Sequence, residues 1–269
     1  MLKNIAKKIK ALPPLPSSFR HIEEISKDPN VSIDKIASII EKDPALTANL
    51  LKIANSPLYG FQREIKNIKH LVSLFGINMT KTLIANIFIK NILSSDMSPY
   101  NINAEEFNKI SAMQGALAKK WYIKLDKSKV DLIFLTALLQ EIGKILIANE
   151  IISSESLSSF KEEIKNAIFI EEVERNYVGI TSAEIAAEIF KHWNFESNMV
   201  EIIRYSYEYQ KAPANIKKLS LSLRAIKTAL SINAALQEDS INRACDILEK
   251  EGMDKELFLK AIEEITETV

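Results

Sequence analysis

Asp43-Pro44-Ala45-Leu46-Thr47, with Leu51-Lys52-Ile53-Ala54-Asn55-Ser56 close behind it, is the stretch that decides the fold class. An aspartate before a proline reads as a helix start. The carboxylate can accept a hydrogen bond from an orphan N–H, and proline at the first helical position removes a donor that would have no partner. Leu46, Leu50, Leu51 and Ala54 then recur at helical spacing, and Asn55-Ser56-Pro57 ends the run. Upstream, Ser32 reads as an N-cap with Val31 and Ile36 as a hydrophobic staple, opening a helix that buries Ile33, Ile36, Ala37 and Ile40. Downstream, Gly76 closes a short helix containing Leu71, Leu74 and Phe75. Asn78 is expected to cap the next, which turns Met79, Leu83, Ile84, Ile87 and Phe88 inward.

The same signals continue along the chain. Asn103 with Glu106, and Thr181 with Glu184, read as capping boxes. Val130 to Ala148 reads as one central, mostly buried helix. Ile185, Ile189, Phe190 and Trp193 form one apolar stripe, and Leu219, Leu223, Ile226 and Leu230 another. Ser240 and Asp254 are placed to start two final helices separated by Gly252. Glycine, which costs a helix about 1 kcal/mol relative to alanine, occurs six times in 269 residues, and no hairpin dipeptide of the Asn-Gly kind is present. The expectation is an all-α protein. Ser94 to Asn103 serves as a connector, giving an N-terminal lobe over 1–95, a second lobe over 101–210, and C-terminal helices over 211–269 packed on the same domain.

Thirty-five basic residues balance thirty-five acidic ones. Nucleic-acid binders need a basic excess, because phosphate contacts dominate their affinity, so no nucleic-acid partner is expected. The single cysteine, Cys245, excludes a disulfide framework within one chain and fits a reducing, cytoplasmic compartment. It lies on a stripe with Ile241 and Leu248 and reads as a small core residue. Apolar runs such as Ala85 to Ile89 are interrupted before the ~20 residues that a membrane span requires, so no transmembrane segment is expected. Leu2, Ile5, Ile9 and Leu12 make the lysine-rich N-terminus amphipathic. It reads as a helix docked on the domain, with an interfacial anchor as the alternative.

Leu12-Pro13-Pro14-Leu15-Pro16, the Asp43 and Leu51 runs quoted above, Tyr59-Gly60 and Leu74-Phe75-Gly76 follow one another in an order that closely resembles the N-terminal half of the HDOD family. These are bacterial signalling domains related to HD-type phosphohydrolases. Leu138-Leu139-Gln140-Glu141-Ile142-Gly143 stands where that resemblance implies Leu-Leu-His-Asp-Ile-Gly, so the second lobe is expected to resemble the HD phosphohydrolase fold. In such a site imidazole and carboxylate groups hold a divalent metal, which lowers the pKa of a bound water for attack on phosphorus. Here Gln140-Glu141 replaces the His-Asp pair. The other ligand positions implied by the resemblance fall at Met113 (beside Gln114), Ser182 and Ser206 (beside Tyr207). His21, His70 and His192 match none of them. Glutamine is a poor ligand and one carboxylate cannot organise a metal, so no catalysis, metal or cofactor is expected.

These readings imply a non-catalytic regulatory module, acting on a protein partner or small ligand, with cyclic-dinucleotide or two-component signalling implied by the resemblance. The alternative is a residual phosphohydrolase or nucleotidase of HD type. Candidate contacts are Asn55, Ser56 and Tyr59 at a helix end, with Gln140 and Glu141, at a junction expected between the lobes. Asn55 and Ser56 can equally serve only to satisfy local backbone groups. Glu141 is expected to be partly exposed or paired with a lysine or arginine, and His192 to be packed or solvated rather than a pocket residue. Tyr205, Tyr207 and Tyr209 are expected to spread around a helix, part of the set lying on the surface.

Overall fold

The computed structural model describes residues 1–56, 64–92 and 96–267, and within them the chain is all-helical. It divides into two compact units. The smaller, Pro13–Leu93, holds α2 (Ser17–Ile25), α3 (Ile33–Ile40), α4 (Pro44–Ala54) and α5 (Ile68–Ile92). The larger joins Met1–Leu12 to Ser94–Glu267.

In the smaller unit the local signals act as read. Ser32 accepts from the Lys35 N–H at 3.2 Å and Asp43 from the Leu46 N–H at 3.0 Å. Ile36, Ile40, Leu46 and Leu50 are buried. Gly76, at φ 75° and ψ 168°, is non-helical and ends the first of two helical stretches that meet at a kink within α5, as read, and only glycine reaches that backbone conformation without strain. Asn78 lies two residues past that break, near the start of the second stretch. Leu74 is 46% exposed, so it faces solvent rather than the core. By length and composition Ile68–Ile89 could cross a membrane, contrary to the expectation that every apolar run stops short. Its Ile68, Leu71, Val72, Leu83 and Ile84 are all buried.

In the larger unit, α1 (Leu2–Lys10) docks through Ile5 and Ile9 and places Lys8 2.6 Å from the buried Glu150. It thus belongs here and not with 13–93, as the lobe 1–95 had it. His192 contacts the Leu12 carbonyl at 3.2 Å on the exposed surface. Then come α6 (Ala104–Leu125), α7 (Val130–Leu139), α8 (Gly143–Ile152), α9 (Leu157–Asn166), α10 (Ile170–Val178), α11 (Ser182–His192), α12 (Ser197–Arg204), α13 (Ala214–Ala229), α14 (Glu238–Lys250) and α15 (Lys255–Thr266). Both capping boxes form. Asp254 caps α15, whereas α14 begins at Glu238, two residues ahead of Ser240. Trp121 packs edge-on against Phe258 at 4.8 Å, tying the C-terminal helix to α6.

The expected helix from Val130 to Ala148 is two helices. Gln140-Glu141-Ile142 forms a turn between α7 and α8. Gly143 explains the geometry: a Cβ there would lie 2.0 Å from the Ser182 carbonyl oxygen. The start of α8 meets the start of α11 with no room for a side chain, and the polar residues on either side are drawn together.

Candidate functional site

Six segments of the larger unit converge on one buried polar cluster. Gln114 comes from α6, Gln140 and Glu141 from the α7–α8 turn, and Lys144 from α8. Glu171 and Glu174 project from one face of α10, Ser182 opens α11, and Arg224 and Lys227 project from one face of α13. Each of these side chains is at most 7% exposed, far from the usual state of charged residues.

Two ammonium groups organise the cluster. Lys144 Nζ lies 2.6 Å from Glu174 Oε1, 3.1 Å from Ser182 Oγ and 3.4 Å from Glu141 Oε2. Lys227 Nζ lies 2.8 Å from Glu171 Oε1, 3.3 Å from Glu141 Oε2 and 3.5 Å from Ser182 Oγ. One carboxylate oxygen and one hydroxyl therefore bridge two cations, each of which has a further carboxylate of its own. The outer contacts complete the arrangement. Gln114 Nε2 donates to Glu141 Oε1 and the Leu230 carbonyl, both at 3.0 Å. The Ser182 N–H and the Tyr100 hydroxyl donate to Glu174 at 2.7 and 3.0 Å. Arg224 Nη1 donates to Glu171 at 3.3 Å while its guanidinium lies over the rings of Phe169 and Tyr207. Gln140 donates to Gln114 Oε1 at 2.9 Å, and its own Oε1 is buried without a hydrogen-bond partner.

The charges hold one another in place. Burial pushes the Glu141 carboxyl up, but Lys144, Lys227 and Gln114 outweigh it and hold the group below its ordinary value. Burial opposes ionisation of Glu171 too, and Lys227 and Arg224 reverse the sign. Burial pulls Lys227 down, and Glu141 and Glu171 hold it above its ordinary value. Burial and the neighbouring Glu174 raise the Tyr100 hydroxyl well above its usual range. Tyr207, on the rim, is pushed up to about 12 by burial and its hydrogen bond to Glu172.

A divalent metal does not fit this donor set. A catalytic pair of metals sits ~3.5–4 Å apart and needs open positions for water. Here protonated lysines take the bridged cation positions, and Lys227 holds its proton more tightly than a free lysine does. A metal would have to displace both. An ammonium neutralises the carboxylates but leaves no coordination position at which water is activated. Among the described residues no group of three or more His, Cys, Asp and Glu side chains is arranged to hold a metal ion.

Of the residues singled out in the sequence, Gln140, Glu141 and Ser182 meet in this cluster. Met113 is an apolar core residue beside Gln114, and Ser206 Oγ is buried with no hydrogen-bond partner. Glu141 takes the paired alternative, not partial exposure. The expectation of a single carboxylate is overturned, since Glu171 and Glu174 join it. At 0% and 1% exposure, Gln140 and Glu141 cannot touch a protein docked on the surface. Tyr209 is buried and Tyr207 stacks on Arg224, but residues 205–208 are not helical, so no spread around a helix arises. In the smaller unit Asn55 Nδ2 donates to the Leu51 and Ile65 carbonyls, each at 2.9 Å, and its Oδ1 accepts from the Ile65 N–H at 2.7 Å. That side chain closes local backbone. Tyr59 and Gly60 lie outside the described residues.

The sequence profile of the HDOD domain matches residues 12–209. The solved structure of an HDOD domain protein of unknown function from Geobacter sulfurreducens is 19% identical, superposes with a TM-score of 0.76, and covers 99% of this chain and 94% of its own. A protein from Marinobacter aquaeolei VT8 named for signal transduction is 21% identical with a TM-score of 0.69, over 96% of this chain and 57% of its own. These identities speak for the fold alone. An uncharacterised protein of Treponema pallidum is 23% identical over 225 residues, which are 80% of this chain and 41% of that protein, so the chain spans less than half the length of this relative.

Proposed function

The chain belongs to the HDOD domain family, and from that premise we propose that it is a non-catalytic regulatory module of bacterial, cytoplasmic signal transduction that works by binding a protein partner. One observation carries the reading. Lys144 and Lys227 set two positive charges against Glu141, Glu171 and Glu174 in one buried cluster, and in our reading these stand in for the metal of the related HD-type site. Charge balance then stabilises the fold and leaves nothing to activate water. The signal-transduction name of the Marinobacter relative favours a regulatory setting, and cyclic-dinucleotide or two-component pathways are the ones in which we place it.

A partner must dock outside the cluster, because the cluster is closed. The end of α4 remains our candidate surface. Asn55 is exposed there even though its amide is engaged, and Ser56 is half-buried. The decisive assay is turnover of cyclic dinucleotides, nucleoside phosphates and a generic phosphodiester by the full chain with added manganese or magnesium. The reading requires background rates. Turnover that disappears in Glu141→Gln would establish the residual hydrolase instead.

A further inference from the structure

We propose that the cleft beside the cluster is a binding site for a small inorganic anion of about the size of a halide. Six charged side chains line it: Glu141, Lys144, Glu171, Arg224, Lys227 and Arg243. With Glu174, paired to Lys144 just behind the wall, four cations face three carboxylates. Glu141 Oε2 and Glu171 Oε1 on this wall have no hydrogen-bond partner but are held by Lys144 and Lys227 as ion pairs, so the imbalance of one positive charge comes with one donor that nothing engages. Arg243 Nη2 donates to Ser240 Oγ at 3.1 Å, but its buried Nε–H has no hydrogen-bond partner.

The neutral polar groups of the wall are already engaged with protein. Thr228 donates to the Arg224 carbonyl at 2.8 Å and Ser231 to Asn233 Oδ1 at 2.7 Å. Asn233 donates to the Ile164 and Ala167 carbonyls at 2.9 and 3.0 Å. None of them is aimed at the Arg243 donor. The partly open cleft offers about 20 Å³ to a water molecule, where ~10–15 Å³ holds one water. The missing acceptor is thus roughly one atom across. Water would supply the acceptor without the charge, whereas an anion supplies both, and hydrogen bonds to ionised acceptors are the stronger kind. Arg224, Lys227 and Arg243 come from the C-terminal helices, beyond the stretch that the family profile matches, whereas Glu141, Lys144 and Glu171 lie within it. A chloride ion matches this space in size. One oxygen of inorganic phosphate could occupy the same position, with the rest of the ion directed outward past the exposed Ile168.

The full chain is melted at constant ionic strength while gluconate, too large for the cavity, is replaced by chloride, and in a second series by inorganic phosphate. A ligand of the folded state raises the midpoint with the logarithm of its concentration above Kd. The proposal expects such a rise in at least one series and its loss in Arg243→Met. The protein's formal net charge is zero, so a general screening effect should be small, and the variant controls for it. A second readout needs no variant: the wild-type protein should broaden the chloride NMR line, and excess bromide should sharpen it. Midpoints that ignore both anions, or that respond equally in wild type and Arg243→Met, overturn the site. So does a chloride line that bromide leaves unchanged. The result is independent of the phosphohydrolase assay, because an anion site and an absence of turnover are separate properties.

Discussion

Replacing Lys144 by methionine keeps most of the side-chain volume and deletes one charge from the closed cluster. The lysine has no exposed surface, and its ammonium contacts Glu174, Ser182 and Glu141 and lies 5.2 Å from the centroid of the Tyr100 ring. Without it Glu174 and Glu141 must stay ionised with weaker compensation or take up a proton. Removing one partner of a buried ion pair costs about 3–5 kcal/mol, and for a domain of this size each kcal/mol moves a melting midpoint by about 2–4 °C. Lys144→Met should therefore melt roughly 6–20 °C below the parent by calorimetry or circular dichroism. Adding Glu174→Gln removes the orphaned charge, so the double variant should recover part of the loss. Lowering the pH towards 5 should narrow the gap between single variant and parent, because protonation relieves the same repulsion. If Lys144→Met melts within about 2 °C of the parent, or the double variant falls by the sum of the two single losses, the ammonium is not what neutralises these carboxylates.

Gly143→Ala should destabilise by about 1–3 kcal/mol or more, since its Cβ would meet backbone at the Ser182 carbonyl. A chemical-denaturation midpoint equal to the parent's would deny that close approach. Leu50→Ala, at a fully buried position, should cost about 2–5 kcal/mol, while Leu74→Ala, on the exposed face of α5, should fall within ~0.5 kcal/mol of the parent; equal losses would mean that α5 is rotated. The depressed Glu141 and Glu171 contribute stability above the ordinary carboxylate value of about 4.3, and that contribution is lost as pH falls through their lower folded values. The raised Lys227 contributes below about 10.4 and loses its contribution as pH rises through its higher folded value. Urea midpoints should accordingly show no step from this cluster between about pH 5 and 10, and a step near neutrality that vanishes in Lys227→Met would contradict the assignment.

Local rules made most of the secondary structure legible. Ser32, Asp43, Asn103, Thr181 and Asp254 each act on backbone within three residues, so their neighbours in sequence suffice to read them. The break after Leu139 was hidden, because the apolar pattern runs through it and its cause, the Ser182 carbonyl against Gly143, is distant in sequence. Leu74 misled for a related reason: one apolar residue beside buried neighbours carries no sign of which face it takes. A third of the candidate site, Gln140, Glu141 and Ser182, was legible from the sequence. Glu171 with Glu174, and Arg224 with Lys227, look like ordinary solvated pairs on amphipathic helices. The available signal was charge in an apolar setting: Lys144 within the run from Val130 to Ala148, and Arg224 and Lys227 beside the stripe of Leu223 and Ile226. Three carboxylates and three cations become one cluster only when α8, α10 and α13 pack together.

The central claim is that internal ammonium groups replace metal, and elemental analysis of the purified, desalted chain for iron, manganese, zinc and magnesium tests it most directly. The account predicts a total well below one ion per chain, with no rise after incubation with manganese and a second desalting. One or two ions per chain, retained through desalting and lost in Glu141→Gln, would contradict it.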